Sequence, residues 1–150
     1  MSIWHQDINL ETLNRQMCRR NMLQHLDIVF TEIGPDHVSA RMPVDWRTHQ
    51  PAGILHGGAS VVLAETVGSV AANLCIDMEH YACVGQEINA NHLRAKKEGW
   101  IIGTARPVHI GQRSQVWDIH IVDEEEKLIC ISRLTMATIK NVTDTSTLSR

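Results

Sequence analysis

Between Arg47 and Asp77 the chain carries one formally charged residue, Glu65. It stands in a run of small and apolar side chains that opens at Gly57-Gly58 and continues to Ile76. As a helix this run is about 30 Å long. A helix that is apolar on nearly all sides must be covered on nearly all sides. The run also has the reach of a bilayer span. Yet Glu65, Thr66, Ser69 and Asn73 interrupt it, no basic flank borders it, and a mid-span carboxylate is costly in lipid. A core helix is expected, with glycine and alanine letting neighbouring backbone come close.

The flanking segments supply the cover. Residues 9–20 predict a short amphipathic helix, with Asn9 as its cap and Leu10, Leu13 and Met17 on one face. Residues 26–33 and 37–43 read as strands around the turn Gly34-Pro35-Asp36, and Val38, Ala40 and Met42 alternate with Ser39 and Arg41. A loop with proline and glycine runs from Pro43 to Gly53. Beyond the long helix, residues 82–95, 100–109, 114–122 and 127–139 are strand-like, with turns near Glu98-Gly99, Gly111-Gln112 and Glu124-Glu125-Glu126. The polar tail from Lys140 is expected to fray. One long apolar helix followed by four hairpin-linked strands predicts an α+β fold, the helix wrapped by a curved antiparallel sheet. At 150 residues, with no repeat or linker, residues 1–150 form one domain.

The net charge of −3, from 14 basic and 17 acidic side chains, argues against a general nucleic-acid binder. Cys18, Cys75, Cys83 and Cys130 have no C-x-x-C spacing, and the nine histidines form no metal-spaced pair, so no metal is expected. The first residues lack a basic segment followed by an apolar stretch, so no signal peptide or membrane anchor is expected. A reduced, cytoplasmic setting fits. Trp4, Trp46, Trp100 and Trp117 are read as core or interface anchors.

The chemistry concentrates around the helix start, Gln50-Pro51-Ala52-Gly53-Ile54-Leu55-His56-Gly57-Gly58. Amide groups of the first turn are unpaired within the helix and sit at the positive end of its dipole. They can stabilise a carbonyl oxygen as it becomes an oxyanion, and His56 and Gln50 add side-chain donors. Glu65 follows two turns on, and Ser69, four residues later, shares its face and can hold Glu65 or a water. An oxyanion donor and a half-dehydrated carboxylate suit acyl transfer to water. Gly57 and Glu65 lie eight residues apart, about 12 Å along the axis, so one carbonyl cannot reach both within a chain. If they cooperate, the second comes from another copy, which predicts a two-fold site at a dimer interface. A second cluster, His92, Arg94 and Lys96 on one strand face with Arg106, His109 and Arg113 beyond, makes a local cationic surface suited to the phosphates of coenzyme A. Each feature also has a plainer reading: Glu65 as a paired structural acid, His56 as a helix-entry residue, Ser69 as packing, and Arg94, Lys96 and Lys97 as a solvated face. Ser60 lacks the second glycine of a nucleophile elbow, which argues against a serine hydrolase.

Taken together, Met42-Pro43-Val44-Asp45, Gln50-Pro51, Gly53, Leu55-His56-Gly57-Gly58-Ala59-Ser60, Leu63-Ala64-Glu65, Gly68-Ser69, Asn89-Ala90-Asn91-His92 and Gln115-Val116-Trp117 resemble the hotdog-fold acyl-CoA thioesterases. The resemblance covers about residues 2–139. It implies a hotdog fold, hydrolysis of an acyl- or aroyl-CoA thioester, no cofactor beyond the coenzyme A of the substrate, and a homodimer or dimer of dimers. Glu65 is then nucleophile or general base, the Gly57 N–H with His56 and Gln50 polarises the carbonyl, and Ser69 positions Glu65 or the water. Coenzyme A would be contacted by Gly85, by His92, Leu93, Arg94 and Ala95, and by His109, Ile110, Gly111, Gln112, Arg113 and Ser114. Two positions depart from the family pattern: Ala52 replaces a frequent aromatic residue, and Gln86 lies beside Gly85. Hotdog hydratases and dehydratases carry H-F-P or D-x-N-P-x-H patterns, absent here; a non-catalytic acyl-CoA-binding module is the third reading.

Overall fold

The computed structural model describes residues 2–141. Helix α1 spans Leu10–Met17; the Asn9 side chain accepts from the Thr12 N–H, and Leu13 is buried. A second short helix, α2 (Met22–His25), is capped by Asn21; it is not among the predicted elements, and the first strand, expected from residue 26, begins at Val29. Strands β1 (Val29–Ile33) and β2 (Val38–Val44) form the expected hairpin. Helix α3 is Gly57–Leu74. Four strands follow: β3 (Tyr81–His92), β4 (Gly99–Ile110), β5 (Ser114–Asp123) and β6 (Leu128–Lys140).

The six strands make one antiparallel sheet in the order β1-β2-β4-β5-β6-β3. The β4–β5 and β5–β6 hairpins are as expected, but β3 is not hairpin-linked to β4. It pairs with β6 at the far edge, so residues 93–98 cross the end of the sheet. Short-range pattern identifies strands but not which partner a strand chooses, and β3 finds its partner after β6 is made. The edge it forms is long and largely exposed.

The inner face of the sheet packs on α3. Leu63, Ala64, Val67 and Ala71 of the helix are buried with Ile101, Trp117, Ile119, Ile121 and Leu134. At Gly68 a β-carbon would lie 2.6 Å from the Leu134 methyl, so the absence of a side chain sets how close the helix approaches. The sheet covers only one side of α3. Val61, Val62, Glu65, Thr66, Ser69 and Val70 on the other face remain half-buried. The expectation of cover on nearly all sides is therefore not met within one chain.

Trp117 is fully buried and stacks on Trp4, with ring centroids 6.3 Å apart. Trp100 lies under the Arg41 guanidinium at 4.4 Å. Trp46, expected as an anchor, is 80% exposed in the loop after β2. The expected fraying does not begin at Lys140, which closes β6 opposite Tyr81; the Asn141 N–H donates to the His80 carbonyl. The rest of that tail lies outside the described residues. No helix among them is long and apolar enough to cross a membrane.

Candidate active site

The loop before α3 is stitched to the helix start. Arg47 and Asp45 pair at 2.7 Å, and the guanidinium holds the Asp45 carboxyl below the usual carboxylate range. The His56 N–H donates to the Thr48 carbonyl at 2.8 Å, and the Gln50 N–H to the Ile54 carbonyl at 2.8 Å. Gln50 Oε1 accepts from the Ala52 N–H at 2.7 Å, and its amide NH2 meets no acceptor among the described residues.

His56 is the N-cap of α3, and its Nδ1 accepts from the Gly58 N–H at 2.8 Å. That bond fixes the neutral ring as the Nε2–H tautomer, a donor on its outer edge. It also consumes the Gly58 amide, whereas the Gly57 N–H meets no acceptor among the described residues. Of the two glycine amides, only that of Gly57 is available to a ligand. A β-carbon on Gly57 would lie 2.6 Å from His92 Nε2, so only glycine lets that ring approach. Gln50, Gly57, Ser60, His92 and Arg94 line one cavity of about 310 Å³. Leu93 and Ala95 also line it, so His92 to Ala95 lie together near the N-terminus of α3.

Glu65 opens elsewhere. Its carboxylate lies against Gly85 of β3, where a β-carbon would stand 2.5 Å from Oε1. Directly after Gly85 the β3–β6 register slips, leaving Gln86 as a bulge. Glu65 has no hydrogen-bond or ion-pair partner among the described residues, so nothing within one chain pairs it as a structural acid. It lines a groove of about 480 Å³ that contains neither Gly57 nor His92. Ser69 lines the same groove, but its hydroxyl points to Met136 Sδ at 3.9 Å and makes no direct bond to Glu65. Met17, Met22 and Leu23 also line it, residues that sequence reasoning did not connect with the site. The Asn21 cap was the one local signal of the turn that brings them there. Gly85, assigned to coenzyme A, stands under the carboxylate.

The cationic cluster is only partly realised. Strand β3 ends at His92, so Arg94 and Lys96 do not continue its alternating faces. Lys96 Nζ binds Glu124 Oε2 at 2.5 Å and Arg106 binds Asp36 at 2.8 Å, so neither charge is free for phosphate. Ile110, Gly111, Gln112 and Arg113 line a third cavity, of about 680 Å³, with Lys140. His109 curls over that turn, and the Ser114 carbonyl accepts the Gly111 N–H at 2.9 Å. His92 pairs with Cys130 and Ser114 with Ala137. Those positions are seven residues apart on β6, roughly 24 Å. One chain therefore does not bring 92–95 and 109–114 together.

Lys96, hydrogen-bonded to Glu124, holds the Glu124 carboxyl below the ordinary glutamate range. A lowered folded value contributes stability above the unfolded pKa, lost as pH falls through the folded value. Glu124→Gln should lower Tm by about 2–4 °C at pH 7, the modest effect of a half-exposed pair. The difference from wild type should shrink as the carboxylate protonates; thermal melts across pH check both.

Burial pushes the Cys75 thiol up to about 12 and raises Cys83 and Cys130, so none is a nucleophile near neutral pH. Asp77, Glu79 and His80 approach one another in an exposed turn. There both Asp77 oxygens are already engaged, by the Glu79 N–H and His80 Nδ1.

The family model of the thioesterase superfamily matches residues 52–130. The 1,4-dihydroxy-2-naphthoyl-CoA hydrolase of Escherichia coli is 56% identical over 90% of this chain and 98% of its own length. A proofreading thioesterase of Cronobacter sakazakii is 47% identical over 90% of this chain and 97% of its own. The crystal structure of a mutant thioesterase from Pseudomonas aeruginosa superposes with a TM-score of 0.90 at 46% identity, covering 93% of this chain and all of that one.

Proposed function

We propose, for a chain that belongs to the thioesterase superfamily and hydrolyses a thioester, that the substrate is an acyl- or aroyl-coenzyme A and that the site is completed by two subunits. The aroyl class is favoured because a relative of this similarity is named for a naphthoyl-CoA substrate. One observation carries the two-subunit reading: the free Gly57 amide and the unpartnered Glu65 carboxylate sit on one helix yet open onto different cavities.

The exposed edge of β3 supplies a way to join them. Glu65 lies over Gly85 and Gly57 lies against His92, seven residues along the same strand. If two copies pair β3 antiparallel about a two-fold axis near Ile88 and Asn89, Gly85 of one faces the partner's His92. Glu65 then approaches the oxyanion end of the neighbouring helix. The same operation brings the turn around Arg113 towards the partner's 92–95 segment, reuniting the separated coenzyme A residues. A dimer of dimers extends this arrangement. Free thiols throughout suit a reducing, cytoplasmic compartment.

The thioester oxygen would accept from the Gly57 N–H, assisted by the His56 Nε2–H and the Gln50 amide. Glu65 would take a proton from water as the water oxygen bonds to the carbonyl carbon, or attack that carbon itself to give a mixed anhydride that water then hydrolyses, supplying the proton. The C–S bond breaks, the proton ends on the coenzyme A sulfur, and the free acid leaves. Appearance of labelled water oxygen in Glu65 during a single turnover separates the two routes.

Thiol release over a panel of aromatic and aliphatic acyl-CoAs tests the activity; no turnover on any of them would overturn it. Mixed subunits test the shared site. Glu65→Ala and His56→Ala chains should each be weak alone. Co-assembled in equal amounts they should recover about a quarter of wild-type activity, since half the dimers are mixed and each has one intact site. No recovery would show that each chain works by itself.

A further inference from the structure

The groove that contains Glu65 is bounded on one side by the open face of α3, through Val62 and Val70. Another part of its lining is the elbow between α1 and α2, through Met17, Met22 and Leu23. The elbow holds itself in shape. The Arg20 N–H donates to Gln24 Oε1 at 2.5 Å, Asn21 Nδ2 donates to the Met17 carbonyl at 2.5 Å, and Arg20 takes a left-handed φ of 50°. Leu13 anchors α1 in the core, but no residue of α2 is buried and Met22 is 57% exposed. The result is a wall of defined backbone and shallow anchorage, faced with two methionines. Methionine has three rotatable bonds and a polarisable sulfur, and fills irregular space adaptably. The lining includes no lysine or arginine, and Glu65 is its one charged side chain.

We propose that the α1–α2 elbow gauges the acyl group: Met17, Met22 and Leu23 close the groove over the apolar part of the thioester and set which acyl widths reach Glu65. The proposal rests on the thioesterase reading. It also defines the substrate class as uncharged acyl groups, aromatic or aliphatic. Against this lining a second carboxylate on the acyl chain would be desolvated without a cationic partner and repelled by Glu65. The groove, at about 480 Å³, falls in the range of small-molecule pockets.

The test compares kcat/KM of the full-length enzyme and its variants for butyryl-, succinyl-, benzoyl- and 2-naphthoyl-CoA. Met22→Ala and Met17→Ala should each raise the naphthoyl-to-benzoyl ratio about tenfold, Met22→Trp should lower it, and Met22→Leu should return it near the wild-type value. Succinyl-CoA should be turned over about a hundredfold less efficiently than butyryl-CoA, whichever residue stands at Met22. A merely structural elbow would change all four substrates in proportion, together with Tm. An active wild type whose variants keep the ratio within about twofold overturns the gauge alone, as does succinyl-CoA accepted as well as butyryl-CoA. A wild type inert on every thioester overturns the thioesterase reading and the gauge with it.

Discussion

Replacing Glu65 by glutamine should reduce thiol release by about 10²–10⁴-fold, the span of a lost general acid–base group, while the protein melts where wild type does. Glutamine keeps the shape of the side chain and loses only its basicity and its charge. The usual cost of altering a charged residue inside a protein is the partner left behind. Glu65 leaves none, because no hydrogen bond or ion pair reaches its carboxylate among the described residues. Rate and stability should therefore separate cleanly. The measurements are kcat/KM by thiol release and Tm by circular dichroism on the same preparation. A near-normal rate would remove Glu65 from the reaction. An equal loss of rate and Tm would return it to a structural role.

Gly85→Ala should cost about a hundredfold in rate, the order expected when a reacting group is misplaced by about 1 Å, again with little change in stability. The new β-carbon would stand 2.5 Å from Glu65 Oε1 and 3.6 Å from its carboxyl carbon. The obstructed atom is the far end of a flexible side chain, so the carboxylate swings away and the strand keeps its place. Gly85 is not among the positive-φ glycines, so alanine adds no backbone strain there. It also lowers the entropy of the unfolded chain, so Tm should stay level or rise slightly. A fully active Gly85→Ala enzyme would mean that the carboxylate works from a different rotamer. Combined with Glu65→Gln, the glycine change should add almost nothing, since both act on one group.

The parts of the molecule written in local pattern were legible. The α3 run, its one carboxylate, the Asn9 cap and the turns at Gly34-Pro35-Asp36 and Gly111-Gln112 are all short-range signals, and the structure has them. What the sequence withheld depends on pairing at long range. Nothing near Tyr81–His92 states that this strand crosses to the far side of β6, and so nothing placed Gly85 beneath Glu65. A glycine inside a strand does signal close approach by something, but not by what. Likewise Lys96 reads as a free cation until β4 and β5 bring Glu124 beside it. Arg106 reads the same way until the sheet sets it against Asp36. The four-residue helix Met22–His25 is too short to show a period, and its contribution to the Glu65 groove arises only in three dimensions.

The division of α3 between two cavities also bears on inheritance. In the two-subunit site proposed above, each polypeptide would carry one half of two different sites. Lesions at Glu65 in one gene copy and at His56 in another would leave every mixed pair with one working site, so the two defects mask each other. The same two lesions on a single copy would do the reverse. Such a chain, paired with a healthy one, would supply the bad half to both sites and silence its partner. With a shared site, a recessive pair of mutations would become dominant when moved onto one gene copy, and the cause would be the roughly 12 Å of helix between Gly57 and Glu65.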